Sequence, residues 1–368
     1  MYLKDLVDIQ MGQSPDSKFY NYDKIGLPFY QGKADFGRIN PTPKIWCSKS
    51  KKEAKPNDIL ISVRAPVGDL NINNEQSCIG RGLAAITCKP DVDMMYLYYH
   101  LKYLKPQLRH ISTGSTFESI NRSQLENLII DYKPYSEQIK ISNILQVVQR
   151  QIEVREKLLR LYDLLIKSRF VELFGDVVLN TLNWPLVKLS DIAEYRIGLT
   201  YKPEAVSSSG IAVLRSGNIK NSQLCYEDTI YVNSKVESKL LLKKHDILMC
   251  ARNGSQSLVG KVALIENDIS NTTYGAFMMA ISSKYYVYLL EYFRSQAFRR
   301  LISVGATTTI NQVTTRMLNS IVIPLPDMDT INRFALYHSQ INKLKSDVQK
   351  SIDETQLLMD SLMQEYFG

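Results

Sequence analysis

The same series of short motifs occurs twice in this chain, in the same order, and that duplication constrains the fold more than any single motif does. Leu3-Lys4-Asp5-Leu6 followed by Met11-Gly12 returns as Leu189-Ser190-Asp191-Ile192 followed by Ile197-Gly198. Asp58-Ile59-Leu60 with Arg64 returns as Asp246-Ile247-Leu248 with Arg252. Ala85-Ile86-Thr87-Cys88-Lys89 then matches Ala280-Ile281-Ser282-Ser283-Lys284, the segment Ile111 to Thr116 matches Ile302 to Thr307, and Ile120-Asn121 matches Ile310-Asn311. Glu172-Leu173-Phe174-Gly175 closes the first copy as Glu365-Tyr366-Phe367-Gly368 closes the second. Each copy takes roughly half of the 368 residues, far longer than a solenoid unit, so the expectation is two domain-plus-element modules.

Each module has two parts. Asp58 to Val63 and Ala84 to Thr87 are short apolar runs bounded by Pro56-Asn57, Gly68-Asp69 and Gly80 to Gly82, which is strand-and-turn chemistry. Asp93 to Leu108 and Tyr285 to Ile302 carry Tyr, Leu and Phe at helical spacing and read as helices packed on that core. After Pro134 the pattern changes to a heptad seam of Ile141, Leu145, Val148, Ile152, Arg155, Leu159, Tyr162, Ile166, Arg169 and Leu173. After Pro326 a weaker stripe follows, Ile341, Leu344, Val348, Ile352, Leu358, Leu362 and Tyr366. Both read as long helices whose seams are best covered by each other. The expected architecture is α+β. Two similar β-rich lobes with packed helices occupy residues 1–134 and 176–326, the second including a linker, and long helices occupy 135–175 and 327–368. Antiparallel pairing of those helices as a coiled coil would relate the lobes by a pseudo-two-fold axis. A helix of roughly 38 residues is about 57 Å long, on the order of one and a half turns of B-DNA.

Composition narrows the function. Lysine and arginine outnumber aspartate and glutamate by 45 to 37, a net charge of +8 that favours a polyanionic partner. No run approaches the roughly 18 to 20 apolar residues of a spanning helix, and no basic, apolar leader begins at Met1, so a cytoplasmic protein is expected. The 5 cysteines contain no C-x-x-C pair, which points to reduced thiols without structural zinc. Catalytic motifs fail in turn. There is no Pro-Pro pair for an amino-methyltransferase, and Gly254 to Gly260-Lys261 has the wrong spacing for a phosphate loop, with Val262 where Ser or Thr is needed. Glu153, Glu156 and Lys157 sit on the heptad helix and read as a solvated face, and the histidines lack metal-ligand spacing. Binding without catalysis is the expectation.

The candidate binding residues are loop residues. Arg64 and Arg252 each follow a strand and suit either a guanine edge, a phosphate, or an internal salt bridge. Lys33 and Arg38 in one lobe, and Arg215 with Asn218 in the other, lie in polar loops after Leu27 to Tyr30 and Ile211 to Leu214. Arg81 lies between Gly80 and Gly82, and Asn253 and Ser255 follow Arg252. The segments Thr113 to Asn121 and Gly305 to Asn311, with Thr116, Asn121, Thr308 and Asn311, offer hydroxyl and backbone donors to phosphate, or serve as helix-capping loops. Phe19, Tyr20 and Tyr22 suit base stacking or packing.

With these residues in place, the chain resembles the specificity (S) subunit of type I restriction–modification systems. The resemblance rests on Asn183-Trp184-Pro185-Leu186-Val187-Lys188-Leu189, on Asp58-Ile59-Leu60-Ile61-Ser62 and Asp246-Ile247-Leu248, and on Pro134 with Glu137-Gln138 and Ile141. Ser112-Thr113-Gly114 and Ser303-Val304-Gly305 also fit. The first lobe starts without a Trp-Pro lead, and the second helix opens on Asp329-Thr330 where Glu-Gln is expected. The resemblance implies two target recognition domains, each reading one half of a bipartite, asymmetric double-stranded DNA site, with the helices fixing the spacing and docking two methyltransferase (M) subunits. It implies that the chain binds no cofactor itself. S-adenosylmethionine would serve the methyltransferases, and ATP and Mg the translocase–nuclease (R) subunits. The competing expectation is a two-lobed coiled-coil scaffold without sequence-specific DNA binding.

Overall fold

The computed structural model describes residues 1–112, 118–304 and 311–368. The chain forms two compact units, Met1–Lys157 together with Gln349–Gly368, and Leu158–Val348. In the first unit the strands Val7–Met11, Leu83–Cys88, Ile59–Ser62 and Leu70–Ile72 form an antiparallel sheet in that spatial order. In the second, Glu194–Ile197, Met278–Ser282, Ile247–Cys250 and Val262–Leu264 form a sheet with the same order and sense. A second sheet accompanies each, of five strands in the first unit and four in the second, and contains one parallel pair, Leu27–Tyr30 with Ser77–Ile79 in the first unit and Ile211–Leu214 with Thr272–Tyr274 in the second. The duplicated motifs are therefore duplicated topology.

The repeated Asp-Ile-Leu motif shows why this local sequence folds as it does. Asp58 and Asp246 are buried carboxylates that open their strands by accepting the backbone N–H three residues earlier, from Lys55 at 2.7 Å and Lys243 at 2.9 Å. Each also accepts the hydroxyl of the neighbouring strand's matching residue, Thr87 or Ser282. A buried carboxylate persists only when its lone pairs are occupied in this way. In the second unit Arg196 adds a salt bridge to Asp246. Gln10, at the same register in the first unit, instead donates to the Glu53 carbonyl. The glycines of the motif are equally structural: a Cβ on Gly12 would lie 2.2 Å from the Gly80 carbonyl oxygen, and one on Gly198 would lie 2.3 Å from that of Gly275.

Two expectations about helices need correction. Asp93 to Leu108 and Tyr285 to Ile302 are not single helices; they break into Met94–Tyr103 and Lys105–Ile111, and into Tyr286–Arg294 and Gln296–Val304. Pro106 in the first turn of Lys105–Ile111 favours a new start, and Ser295 restarts the other by accepting the Phe298 N–H. The long helices are Tyr135–Phe174 and Met328–Phe367, each 40 residues. Gln138 locks the start of the first by accepting the Asp93 N–H and donating to the carbonyls of Asp91 and Lys133. Where Glu-Gln is absent in the second, Asp327 caps it by accepting the Thr330 N–H at 2.7 Å.

The seams also depart from the heptad reading. Ile141, Leu145, Val148, Ile152 and Ile166 are buried as expected, but beyond Ile166 the buried positions are Phe170 and Phe174, not Arg169 and Leu173. A straight helix drifts by about 20° per heptad, and the apolar face follows the drift. In the C-terminal helix Leu344 and Leu358 are exposed, while Ile331, Phe334, Met359, Met363 and Phe367 are buried. The reason is that each helix serves its unit's lobe as well as the other helix. In the first unit Met359, Met363 and Phe367 pack with Ile141, Leu145 and Val148 and with Tyr96 and Tyr99 of the lobe. In the second, Phe170, Phe174 and Phe334 cluster on Tyr288. There Asp163 pairs with Lys345 while Phe170 meets Phe334, so the helices run antiparallel. The cysteines are free, and burial pushes Cys78 and Cys88 up to about 12, which leaves both thiols protonated. Among the described residues no helix is long and apolar enough to cross a membrane.

Candidate nucleic-acid interface

In each unit, loops from four places in the sequence meet at one end of the two sheets. In the first unit Val63 N–H donates to the Gly82 carbonyl, Ala65 N–H to that of Glu118, and Ile120 N–H to that of Val63. Arg64 is thereby fixed beside Ser119 and the Gly80 to Gly82 turn. The Gln31 loop lies over that turn, since a Cβ on Gly82 would be 2.3 Å from the Gln31 carbonyl oxygen. In the second unit Ala251 N–H donates to Phe277, Val313 N–H to Ala251, and Arg252 bridges to Gln312. These are the same connections with the same sense. They bring Arg64 and Arg81 together in one lobe, and Arg215, Arg252, Asn253, Ser255 and Asn311 together in the other. Thr116 and Thr308 lie outside the described residues.

The bonds also correct the alignment of the repeat. Ile120 corresponds to Val313 and not to Ile310, and Asn121 corresponds to Thr314 and not to Asn311. Asn121 and Thr314 each cap a short helix, accepting the N–H of Gln124 and Met317. Asn121 is thus spent on a capping box, with the Gln124 side chain returning the bond. Asn311 instead donates to the Gly254 carbonyl.

The remaining candidates separate by availability. Arg64, Arg81 and Arg252 are exposed. The Arg252 guanidinium lies 5.6 Å from the centroid of the Phe277 ring. Asn253 donates to the Ser216 hydroxyl and accepts the Ser255 N–H, joining two loops. Arg215 is exposed, with its guanidinium near the Asp228 carbonyl at 3.4 Å. Asn218 is not available to bases: it is 1% exposed, accepts the Arg215 N–H, and donates to the Cys225 carbonyl. Asp35 fills the same turn-closing role in the first lobe, accepting the N–H groups of Gln31 and Gly32. Lys33 pairs with Asp69 at 2.8 Å, and Lys105 holds the same carboxylate. Burial works to raise Asp69, but the two ammonium groups outweigh it and leave the carboxyl below its ordinary value. Arg38 points to the central helix, pairing with Glu156 at 2.9 Å and Glu153 at 3.5 Å. Those two carboxylates, read from sequence as a solvated face, hold a lobe loop.

Tyr20 packs on Phe29 with its hydroxyl on the Pro15 carbonyl, whereas Tyr22 is exposed. Lys18 and Lys49 lie over the Phe19 ring, and Lys24 over Trp46. The residue missed from sequence is Phe277, an exposed aromatic at the centre of the second loop cluster. Its signal is the Tyr274-Gly275-Ala276-Phe277 turn leading into a strand.

A family model described as the type I restriction modification DNA specificity domain matches residues 1–160 and 182–358. The chain belongs to this family. The specificity subunit of the type I restriction enzyme MjaX of Methanocaldococcus jannaschii is 45% identical over 150 residues, a match spanning 40% of this chain and 35% of that protein. The MjaIX specificity subunit of the same organism is 22% identical, over 98% of this chain and 90% of that one. The crystal structure of a type I restriction–modification S subunit from M. genitalium shares the fold, with a TM-score of 0.58 at 16% identity, covering 100% of this chain and 95% of the other. These relatives are named as specificity subunits of type I restriction enzymes.

Proposed function

We propose that each lobe of this specificity-family chain reads one half of a bipartite, asymmetric DNA site, at the loop cluster around Arg64 in residues 1–134 and around Arg252 in residues 176–326. The observation that carries the reading is the recurrence of one loop scaffold in both lobes with different side chains on it. Arg64 and Arg81 stand in the first, and Arg215, Arg252, Asn253 and Ser255 in the second. A common scaffold with different loops suits two different half-sequences, because phosphate contacts position a protein while base contacts specify. The helices 135–175 and 327–368 then hold the half-sites at a set spacing and dock two methyltransferase subunits. Those partners supply S-adenosylmethionine chemistry on a flipped adenine, and ATP- and Mg-dependent translocase–nuclease subunits act on unmodified DNA.

The test is a genome-wide map of methylated adenines in cells carrying this gene with its methyltransferase partner, compared with cells lacking this gene alone. A two-part motif with a fixed gap that vanishes on deletion is the expected result. An unchanged map with the partner expressed overturns the reading and favours the scaffold. At finer grain, Arg252→Ala is expected to relax one half-site only. A uniform loss over all sequences, with a shallower salt dependence, would make Arg252 a phosphate contact.

A further inference from the structure

Phe277 is 60% exposed, although a phenylalanine gains about 2 kcal/mol or more by burial. Its backbone is nevertheless fixed: its carbonyl accepts the N–H of Ala251 at 2.9 Å and of Arg252 at 3.0 Å, and the turn closes through Met278 N–H to the Gly275 carbonyl. The ring is thus held out from a rigid seat. Two exposed arginines neighbour that turn. Arg252 lies over the ring, and the Arg215 Cγ would be 3.8 Å from a Cβ on Gly275. An exposed aromatic with a guanidinium over its ring and a second arginine beside its turn matches the chemistry of a stacked base flanked by phosphates, since ring faces and bases stack while the cations meet the backbone or a guanine edge. Among the described residues, the first lobe places no aromatic at the matching position. Its equivalent residue is Gly82, where any side chain would strike the Gln31 carbonyl.

We infer that Phe277 is a specificity-determining residue of the second lobe, inserting against the base stack of its half-site beside Arg252 and Arg215. The inference rests on the half-site reading above and deepens it: the second lobe's half-site is opened by an aromatic wedge at a position where the first lobe has Gly82. Apolar side chains placed among basic groups unstack a base step in this way.

The experiment uses the full chain co-expressed with its methyltransferase partner. The duplexes carry the mapped motif, with 2-aminopurine substituted in turn at the purine positions of each half-site. Wild type is expected to raise fluorescence at one step of one half-site. Phe277→Ala is expected to abolish that rise and weaken binding about 5- to 100-fold, leaving mismatch penalties in the other half-site unchanged. Phe277→Trp retains both signals. An alanine variant with unchanged affinity and fluorescence overturns the inference, as does a loss spread equally over both half-sites. If wild type itself shows no site-specific binding, the half-site reading fails and takes this inference with it. If wild type binds specifically and only the alanine result is negative, the reading stands and the wedge alone is lost. Thermal unfolding of the variants checks that this exposed side chain carries no folding role.

Discussion

At the scale of single residues, two buried groups make the most direct predictions. His100 is 2% exposed, its ring stacks on Phe367 at 4.7 Å, and burial pushes its pKa from 6.5 down to about 4. The folded state therefore binds fewer protons than the unfolded state between these values, and stability falls as pH drops through that window. From pH 6.5 to pH 5 the loss is about 2 kcal/mol. Urea unfolding at both pH values should show a smaller difference in His100→Gln than in wild type. Asp246 offers a comparison between the copies. Asp58 manages with one backbone and one hydroxyl donor, whereas Asp246 also takes Arg196. Arg196→Gln, which installs the residue found at the matching position of the first lobe, should cost about 1 to 2 kcal/mol in thermal unfolding. Asp246→Ala should cost about 3 kcal/mol or more, because it strands a largely buried guanidinium.

At the scale of elements, the salt bridges from Arg38 to Glu153 and Glu156 join a lobe loop to the central helix within one unit. All three side chains are partly exposed, so a double-mutant cycle of Arg38→Ala with Glu156→Ala should give a coupling of about 0.3 to 1 kcal/mol, shrinking in high salt. What was legible in the sequence at this scale was whatever depends on period and punctuation. The duplicated strands, the loop arginines after them and the two long helices are written in spacings of two, three and four, and in Gly, Pro and Asp at turns. What was not legible depends on tertiary partners. Which face of the C-terminal helix is buried was decided by Tyr96, Tyr99 and Phe174, distant in sequence. The role of Asn218 as a turn closer was hidden because asparagine serves turns and bases with the same amide. The offset between Asn121 and Thr314 arose because the lobes differ in length before that helix cap, which motif matching alone does not register.

At the scale of the whole molecule, the units are nested: Leu158–Val348 is continuous in sequence, while the other unit draws on both Met1–Lys157 and Gln349–Gly368. The continuous segment should fold by itself, with a cooperative thermal transition and slow hydrogen exchange in Ile247–Cys250 and Met278–Ser282. Residues 1–157 alone would expose Tyr96, Tyr99, Ile141 and Leu145, and should gain a cooperative transition on addition of a peptide spanning 349–368. Phe367→Ala in that peptide should weaken the rescue, since it removes ring contacts with Tyr96, His100 and Tyr103 worth about 3 kcal/mol or more. Nesting also sets an order in time. A chain leaving the ribosome presents residues 1–157 first, yet Met359, Met363 and Phe367 emerge only after the whole of the second unit has been made. The first half must wait with an apolar helix face uncovered while the second half completes itself, so synthesis rate and chaperone access govern the yield of the first lobe far more than that of the second.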